Sequence, residues 1–143
     1  MWESNEMIYH TTSHDPDINE EISRTLGPPF GFREIFRIGT VGSSRMRVAQ
    51  YSSIFKKIVE QTSDCAIASI GLRPKGILVS ISKNDRNMCW TIPYYRLSIY
   101  KTELLSIHAE GQFLKLELRG KQNHKFIQKI LEHKIRFEQG LTG

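Results

Sequence analysis

The residues of this chain best suited to chemistry crowd into WTIPYYRLSIYK, positions 90–101, which holds one Trp, three Tyr, Arg96, Lys101 and Pro93. Aromatic rings beside cations stack bases or flat anions, and the same residue types are enriched in protein interfaces. Strand alternation decides which of them face outward. Before Pro93, a period of two puts Met88, Trp90 and Ile92 on one face and Cys89 and Thr91 on the other. Pro93 cannot donate to a ladder, so it marks an edge, a bend or a bulge. Beyond it, alternation groups Tyr95, Leu97 and Ile99 inward and Tyr94, Arg96, Ser98 and Tyr100 outward. The same sorting turns Leu105, Ile107, Leu114, Leu116 and Leu118 inward, and His108, Phe113, Lys115 and Glu117 outward. The candidate binding face is therefore Tyr94, Arg96, Tyr100, His108, Phe113 and Lys115. Three uses are open to it: a protein interface, a surface for nucleic acid or lipid, or a floor beneath an N-terminal helix whose Ile18, Ile22 and Leu26 cover Tyr94 and Tyr100. The turn Arg73-Pro74-Lys75 is a second basic point.

Other chemistries lack their parts. His10 and His14 are four apart, but HTTSHDP is not a helical pattern, and His108 has only Glu110 nearby. A metal centre needs three or four converging ligands, so none is expected. Cys65 and Cys89 fall inside strand-like segments, where a thiol is usually a small core residue. No Gly-x-Ser-x-Gly elbow accompanies the serines. The loop GTVGSS, residues 39–44, leads toward a basic segment but lacks the Lys of a phosphate-binding loop. The carboxylates beyond residue 30 are scattered through turns, helix faces and one strand, with no pair aimed at a common point for acid–base work. The expectation is a protein without catalysis, cofactor or metal.

The elements that must position these residues follow from periodicity and turn chemistry. Asp15 as cap, Pro16 just inside and Ile18, Ile22 and Leu26 at spacings of four predict a helix over 16–26, stopped by Gly27-Pro28-Pro29. Residues 1–14 read as irregular. FGFREIFRIGTV, residues 30–41, alternates loosely and predicts a strand. Val48, Tyr51, Phe55, Ile58 and Val59 predict a helix over 45–61, capped by Ser43 or Ser44. From residue 65 the period becomes two. CAIASIGL, GILVSIS, NMCWTIP, LSIYK, LLSIHA and QFLKLELR are separated by turn residues, which predicts a six-stranded antiparallel meander. A last helix is capped by Asn123, shows an apolar face of Phe126, Ile127, Ile130, Leu131 and Ile135, and ends at Gly140. No repeat of 20 to 50 residues is present.

The chain has 143 residues and a net charge of +5, unevenly spread. Residues 1–30 carry six carboxylates against Arg24 alone, a net −5, which leaves +10 on residues 31–143. A basic body with an acidic leader favours anionic partners, or a head that folds back on its own body. No apolar run approaches the roughly 18–20 residues that span a bilayer, and the N-terminus has no basic-then-apolar leader pattern. Two distant cysteines give no disulfide framework, so a reducing, cytoplasmic setting is expected.

The hairpin IGLRPKGILVSIS (70–82), the segment WTIPYYRL (90–97), the strands SIHAEGQFLKLEL (106–118) and the closing helix together resemble the pleckstrin-homology-like superfamily, and within it uncharacterised bacterial proteins. The resemblance implies an α+β fold: an antiparallel barrel of two nearly orthogonal sheets, one end plugged by the last helix, with additional N-terminal helices. It implies a single domain over 1–143, with an acidic extension at 1–30 and a core at 31–138. It further implies a non-enzymatic binding module acting by protein–protein contact or self-association. Nucleic-acid binding through the basic-aromatic face and a small-ligand or enzyme site at the open barrel end are the alternatives. Family members often present Lys and Arg to phosphoinositides from an early hairpin. Here Lys75 is followed by Gly76 and an apolar strand, so phosphoinositide binding is not implied.

Overall fold

The computed structural model describes residues 8–10, 16–59, 66–83 and 86–140. Asp15, His14 and Cys65 lie outside these residues, as does the side chain of His10. The chain is α+β, with one antiparallel sheet of eight strands in the order β1-β5-β4-β3-β2-β8-β7-β6. The strands are β1 (Ile8–His10), β2 (Met46–Tyr51), β3 (Ile67–Arg73), β4 (Gly76–Lys83), β5 (Arg86–Pro93), β6 (Ser98–Lys101), β7 (Leu105–Ala109) and β8 (Gln112–Leu116). The helices are α1 (Pro16–Leu26), α2 (Phe32–Ile38), the single turn α3 (Lys56–Val59) and α4 (Lys121–Glu138).

The six strands expected from residue 65 onward are β3 to β8, because alternation and tight turns specify them locally, but they are not one six-stranded meander: β5 pairs with β4 and β1 rather than with β6, so the chain passes to the other half of the sheet after Pro93. Glu110 and Gly111, at φ 53° and 79°, form a two-residue turn that sets Ala109 opposite Gln112. Positive φ at both central residues matches the right-handed twist of the flanking strands. Two other expectations fail. Residues 46–51 are a strand, because both of its edges find partners. Met46 and Arg47 pair with β3, and Val48 to Tyr51 pair with β8, with a bulge between Val48 and Gln50. Ser43 does not cap a helix: its Oγ accepts the Ile70 N–H at 2.8 Å, fastening the loop to β3. The predicted strand at 30–41 is instead α2. Its first turn is closed by the Gly31 N–H donating to Glu34 Oε1 at 3.0 Å. The N-terminal residues read as irregular include β1, which adds to the edge of β5 with Tyr9 opposite Cys89.

β2 is shared by two half-sheets, β1-β5-β4-β3 on one side and β8-β7-β6 on the other. The outer strands β1 and β6 do not pair, so the sheet is not closed into the barrel that the resemblance implies. The core lies on the inner faces of both halves, with Ile70, Val79, Trp90, Ile107 and Leu114 fully or almost fully buried. Phe55 meets the Trp90 ring edge-on at 5.1 Å. α4 closes the core with Phe126, Ile127 and Ile130, whereas Ile135, expected on the same face, is exposed. Asn123 is not the cap of α4. It is buried inside the first turn, where its Oδ1 accepts the Ser44 N–H at 3.0 Å.

α1 buries Ile22 and Leu26 against the outer side of β4 and β5. Its C-terminal Gly27, at φ 85°, sits so close to Pro74 that a β-carbon there would lie 3.1 Å from the proline ring. Arg73 secures the joint by donating from a guanidinium nitrogen to the Gly27 carbonyl at 3.0 Å. None of the described helices is long and apolar enough to cross a membrane.

Candidate functional site

The outer face of β6, β7 and β8 holds most of the expected binding residues, with one exchange. After Pro93 the chain makes a short 3-10 turn, Tyr94–Arg96, before β6 begins. Three residues in that turn break the alternation, so Tyr94 goes in and Tyr95 comes out. Tyr94 is 0% exposed and Tyr95 is 64% exposed. The Tyr94 hydroxyl donates to the Arg73 carbonyl at 3.1 Å, and its ring lies 5.7 Å from that of Phe137. Burial holds the phenol far above its ordinary pKa. Tyr94 is thus a core residue, the opposite of its predicted place.

Arg96 does reach the surface. It pairs with Glu110 at 3.0 Å and stands 5.2 Å above the Tyr95 ring. Tyr100, His108 and Phe113 form a row across three strands. The Tyr100 and His108 rings are 5.5 Å apart and nearly parallel, and His108 and Phe113 follow at 5.7 Å. Tyr100 pairs in register with Ser106, so it reaches His108 on the diagonal, with its hydroxyl 3.1 Å from Nε2. Lys115 sits half-buried on the same face, opposite Ser106 and Gln50. α1 does not pack on this half of the sheet. Tyr100 is exposed and His108 and Phe113 are half-buried, with the rings stacked on one another rather than splayed for a ligand.

A larger feature lies elsewhere. α2, the C-terminal half of α4 and the β3–β4 turn enclose a cleft of about 740 Å³. Its apolar lining is Phe30, Ile38, Pro74 and Phe137, and its cations are Arg37, Lys75, Lys129 and Arg136. Glu34 and Glu132 are the two carboxylates. Of these charges, Glu34 is engaged by the Gly31 N–H, and the Lys129 ammonium donates to the Ile38 carbonyl, completing the open end of α2. Arg37, Lys75 and Arg136 form no ion pair among the described residues. His133 projects into the cleft with its ring 6.3 Å from Phe30. Its pKa is lowered first by burial and then by Arg136, with Glu132 opposing and Lys129 adding the smallest lowering effect. The cleft is electropositive.

The basic turn divides between two tasks. Arg73 is structural: its guanidinium is partly desolvated against Gly27, which lowers its pKa. Lys75 is exposed at the cleft, while its backbone ties α1 to the turn, its N–H donating to the Leu26 carbonyl and its carbonyl accepting the Tyr94 N–H.

Beside the cleft, α2 buries no residue at all. Phe32 and Phe36, one helical turn apart, are 94% and 93% exposed. Sequence reasoning missed this ridge because it took residues 30–41 for a strand. The usable signal was a Phe pair and an Arg pair, Phe32/Phe36 and Arg33/Arg37, each at i, i+4 spacing.

Among the described residues no three His, Cys, Asp or Glu side chains converge as metal ligands. His124 stands apart, with Nδ1 3.2 Å from the Lys101 ammonium. Cys89 is half-buried near the Ser80 hydroxyl. The GTVGSS loop enters β2 rather than a helix, so no helix N-terminus is available there for phosphate. Comparison with family models, with curated proteins and with solved structures gives no match.

Proposed function

We propose that this chain is a non-enzymatic binding module of pleckstrin-homology-like architecture, and that it works by protein–protein contact through α2 and the cleft beside it. The architectural part is supported by the two consecutive meanders β2 to β5 and β6 to β8, the sharing of β2 between the two half-sheets, and the helix that closes the core at the chain's end. The functional part is carried by one observation: Phe32 and Phe36 stand almost wholly in solvent on a helix with no buried residue. Contiguous exposed apolar surface rimmed by charge marks interaction sites on soluble proteins. A helical pair at i, i+4 is the form in which one protein presents anchors to a groove on another.

Nucleic acid fits less well. The cleft carries Glu34 and Glu132 among its cations, and Tyr100, His108 and Phe113 stack on each other. A phosphate backbone repels the first, and unstacked bases need free ring faces that the second withholds. A small-ligand site at Arg96 or His108 has no support either, since neither residue lines the cleft.

The test is a photo-crosslinking residue placed at position 36 in the full chain in its native host. The expected result is one discrete crosslinked species, lost when the same probe is placed at exposed Glu103. Equal, diffuse labelling from both positions removes the reading.

A further inference from the structure

The cleft has a counterpart on the same molecule. The exposed strip of α1 runs through Asp17, Glu20, Glu21 and Arg24, spaced i, i+3, i+4, i+7, so these residues share one helical face. Its opposite face is committed: Ile22 and Leu26 are buried on β4 and β5, and Gly27 is locked against Pro74. α1 therefore cannot roll its acids into the cleft of its own chain. Glu20 and Glu21 form no ion pair among the described residues, as is true of Arg37, Lys75 and Arg136 in the cleft. Pro74, which meets Gly27 at the C-terminal end of α1, also lines the cleft.

From this placement we infer that the occupant of the cleft is a second copy of this chain, each copy laying the acidic strip of α1 across the basic cleft of the other, with Phe32 and Phe36 buried between them. The inference rests on the protein-contact reading of α2 and goes beyond it by naming the partner. Three features carry it. The complementary charges are both present on one chain, with Asp17, Glu20 and Glu21 against Arg24 on the strip, and Arg37, Lys75, Lys129 and Arg136 against Glu34 and Glu132 in the cleft. Both surfaces belong to one chain, so a two-fold axis lets each copy give and receive the same contact, the self-complementary arrangement that closes at two subunits. Finally, Arg24 at the end of the acidic strip matches Glu34 and Glu132 within the cleft, a pattern that fixes direction and register as well as attraction.

The arrangement has a diagnostic consequence. Reversing the strip (E20K/E21K) leaves two basic surfaces facing each other, and reversing the cleft (R37E/R136E) leaves two acidic ones. In a one-to-one mixture both contacts become complementary again: reversed strip meets reversed cleft, and native strip meets native cleft. Sedimentation equilibrium of the full chain should show a dimer that weakens at least tenfold as salt rises from about 0.1 M to 1 M, where the screening length falls from about 10 Å to 3 Å. Each charge-reversed variant alone should be monomeric, and the mixture should recover the dimer. Circular dichroism melting verifies that the variants fold, and E21K with R136E, one reversal each, serve where the doubles do not. A wild-type chain that stays monomeric into the high micromolar range overturns the inference. So does a dimer indifferent to all the reversals. If the chain is monomeric and the probe at position 36 captures a different protein, the self-association inference falls while the protein-contact reading stands. An intramolecular crosslink to residues 1–15 likewise overturns it in favour of the chain's own leader.

Discussion

Tyr94 and Tyr95 are adjacent and chemically identical, yet the fold assigns them opposite duties, and truncating each measures the assignment. Tyr94→Ala removes a fully buried ring in contact with Phe137 together with a hydroxyl bonded to the Arg73 carbonyl. A large buried aromatic cut to Ala costs about 3–5 kcal/mol from lost transfer energy and residual cavity. For a chain of this size 1 kcal/mol moves the melting temperature by about 4 °C, so a fall of roughly 12–20 °C is expected. Tyr94→Phe keeps the ring and loses only the hydrogen bond, leaving a carbonyl short of a partner, for about 1–2 kcal/mol. Tyr95→Ala removes a ring that is 64% exposed and touches the Arg96 guanidinium. Its cost is about 0.5–1 kcal/mol, the scale of an exposed cation–π contact. The assay is urea unfolding followed by far-ultraviolet circular dichroism, with the denaturant slope checked for constancy so that midpoints report stability. The expected order of destabilisation is Tyr94→Ala, then Tyr94→Phe, then Tyr95→Ala. Simple alternation through Pro93 demands the reverse placement, so a Tyr95→Ala variant less stable than Tyr94→Ala would refute the phase change at the 3-10 turn and with it the exclusion of Tyr94 from the surface.

Two further outcomes follow from the geometry. His133 titrates below the ordinary histidine value of about 6.5 because burial, Arg136 and Lys129 disfavour its charged form. A lowered folded pKa means the unfolded chain binds the proton first, so the contribution of His133 to stability is complete above the unfolded value and is lost as pH falls through and below it. An NMR titration of its ring should therefore give a depressed midpoint, and His133→Asn should flatten the acid limb of the stability curve. A midpoint at or above the ordinary value contradicts an electropositive cleft. Gly76→Ala should destabilise by about 1–3 kcal/mol or more by overpacking, because a β-carbon there would sit 2.2 Å from the Ile92 carbonyl and 2.8 Å from Leu26. An alanine variant as stable as the parent would mean that α1 does not press on the β4–β5 edge.

What was legible in the sequence was local. β3 to β8 carry their own alternation and their own turns, so Ile77, Val79 and Ile81 turn inward without help from distant residues. The failures sit where partners distant in sequence decide. Val48 and Tyr51 have helix-like spacing, but a strand that finds β3 on one edge and β8 on the other, interrupted by a bulge, satisfies more backbone groups than an isolated helix would. β1 has three residues and exists only because the edge of β5 receives it. Of the residues that alternation turns outward, Arg96 and Tyr100 are exposed and His108, Phe113 and Lys115 half-buried, while the neighbouring Tyr94 is in the core. The reversal of phase was anticipated at Pro93 but occurs inside the turn that follows, so Leu97 and Ile99 came out right and the two tyrosines did not.

The largest error, strand for helix at residues 30–41, falls on the surface that now carries the functional proposal, and there is a physical reason for the coincidence. An element that serves the core announces itself by a long periodic apolar face, and the seven residues of α2 give a short one that the core does not use, since both phenylalanines point to solvent and only Ile38 packs, partly buried, against the core. Its helical state is held by the Lys129 ammonium on the Ile38 carbonyl at its end and by the Gly31–Glu34 bond at its start. Such an element is a poor helix by its own pattern and is kept in that state by contacts from α4. A folding chain gains little from displaying two large rings to water, which is why the proposed contact is placed on them. The charge pattern supplies the rest. An exposed acidic strip that the anchoring of α1 keeps out of the basic cleft of its own chain is the feature on which the proposed contact between chains rests.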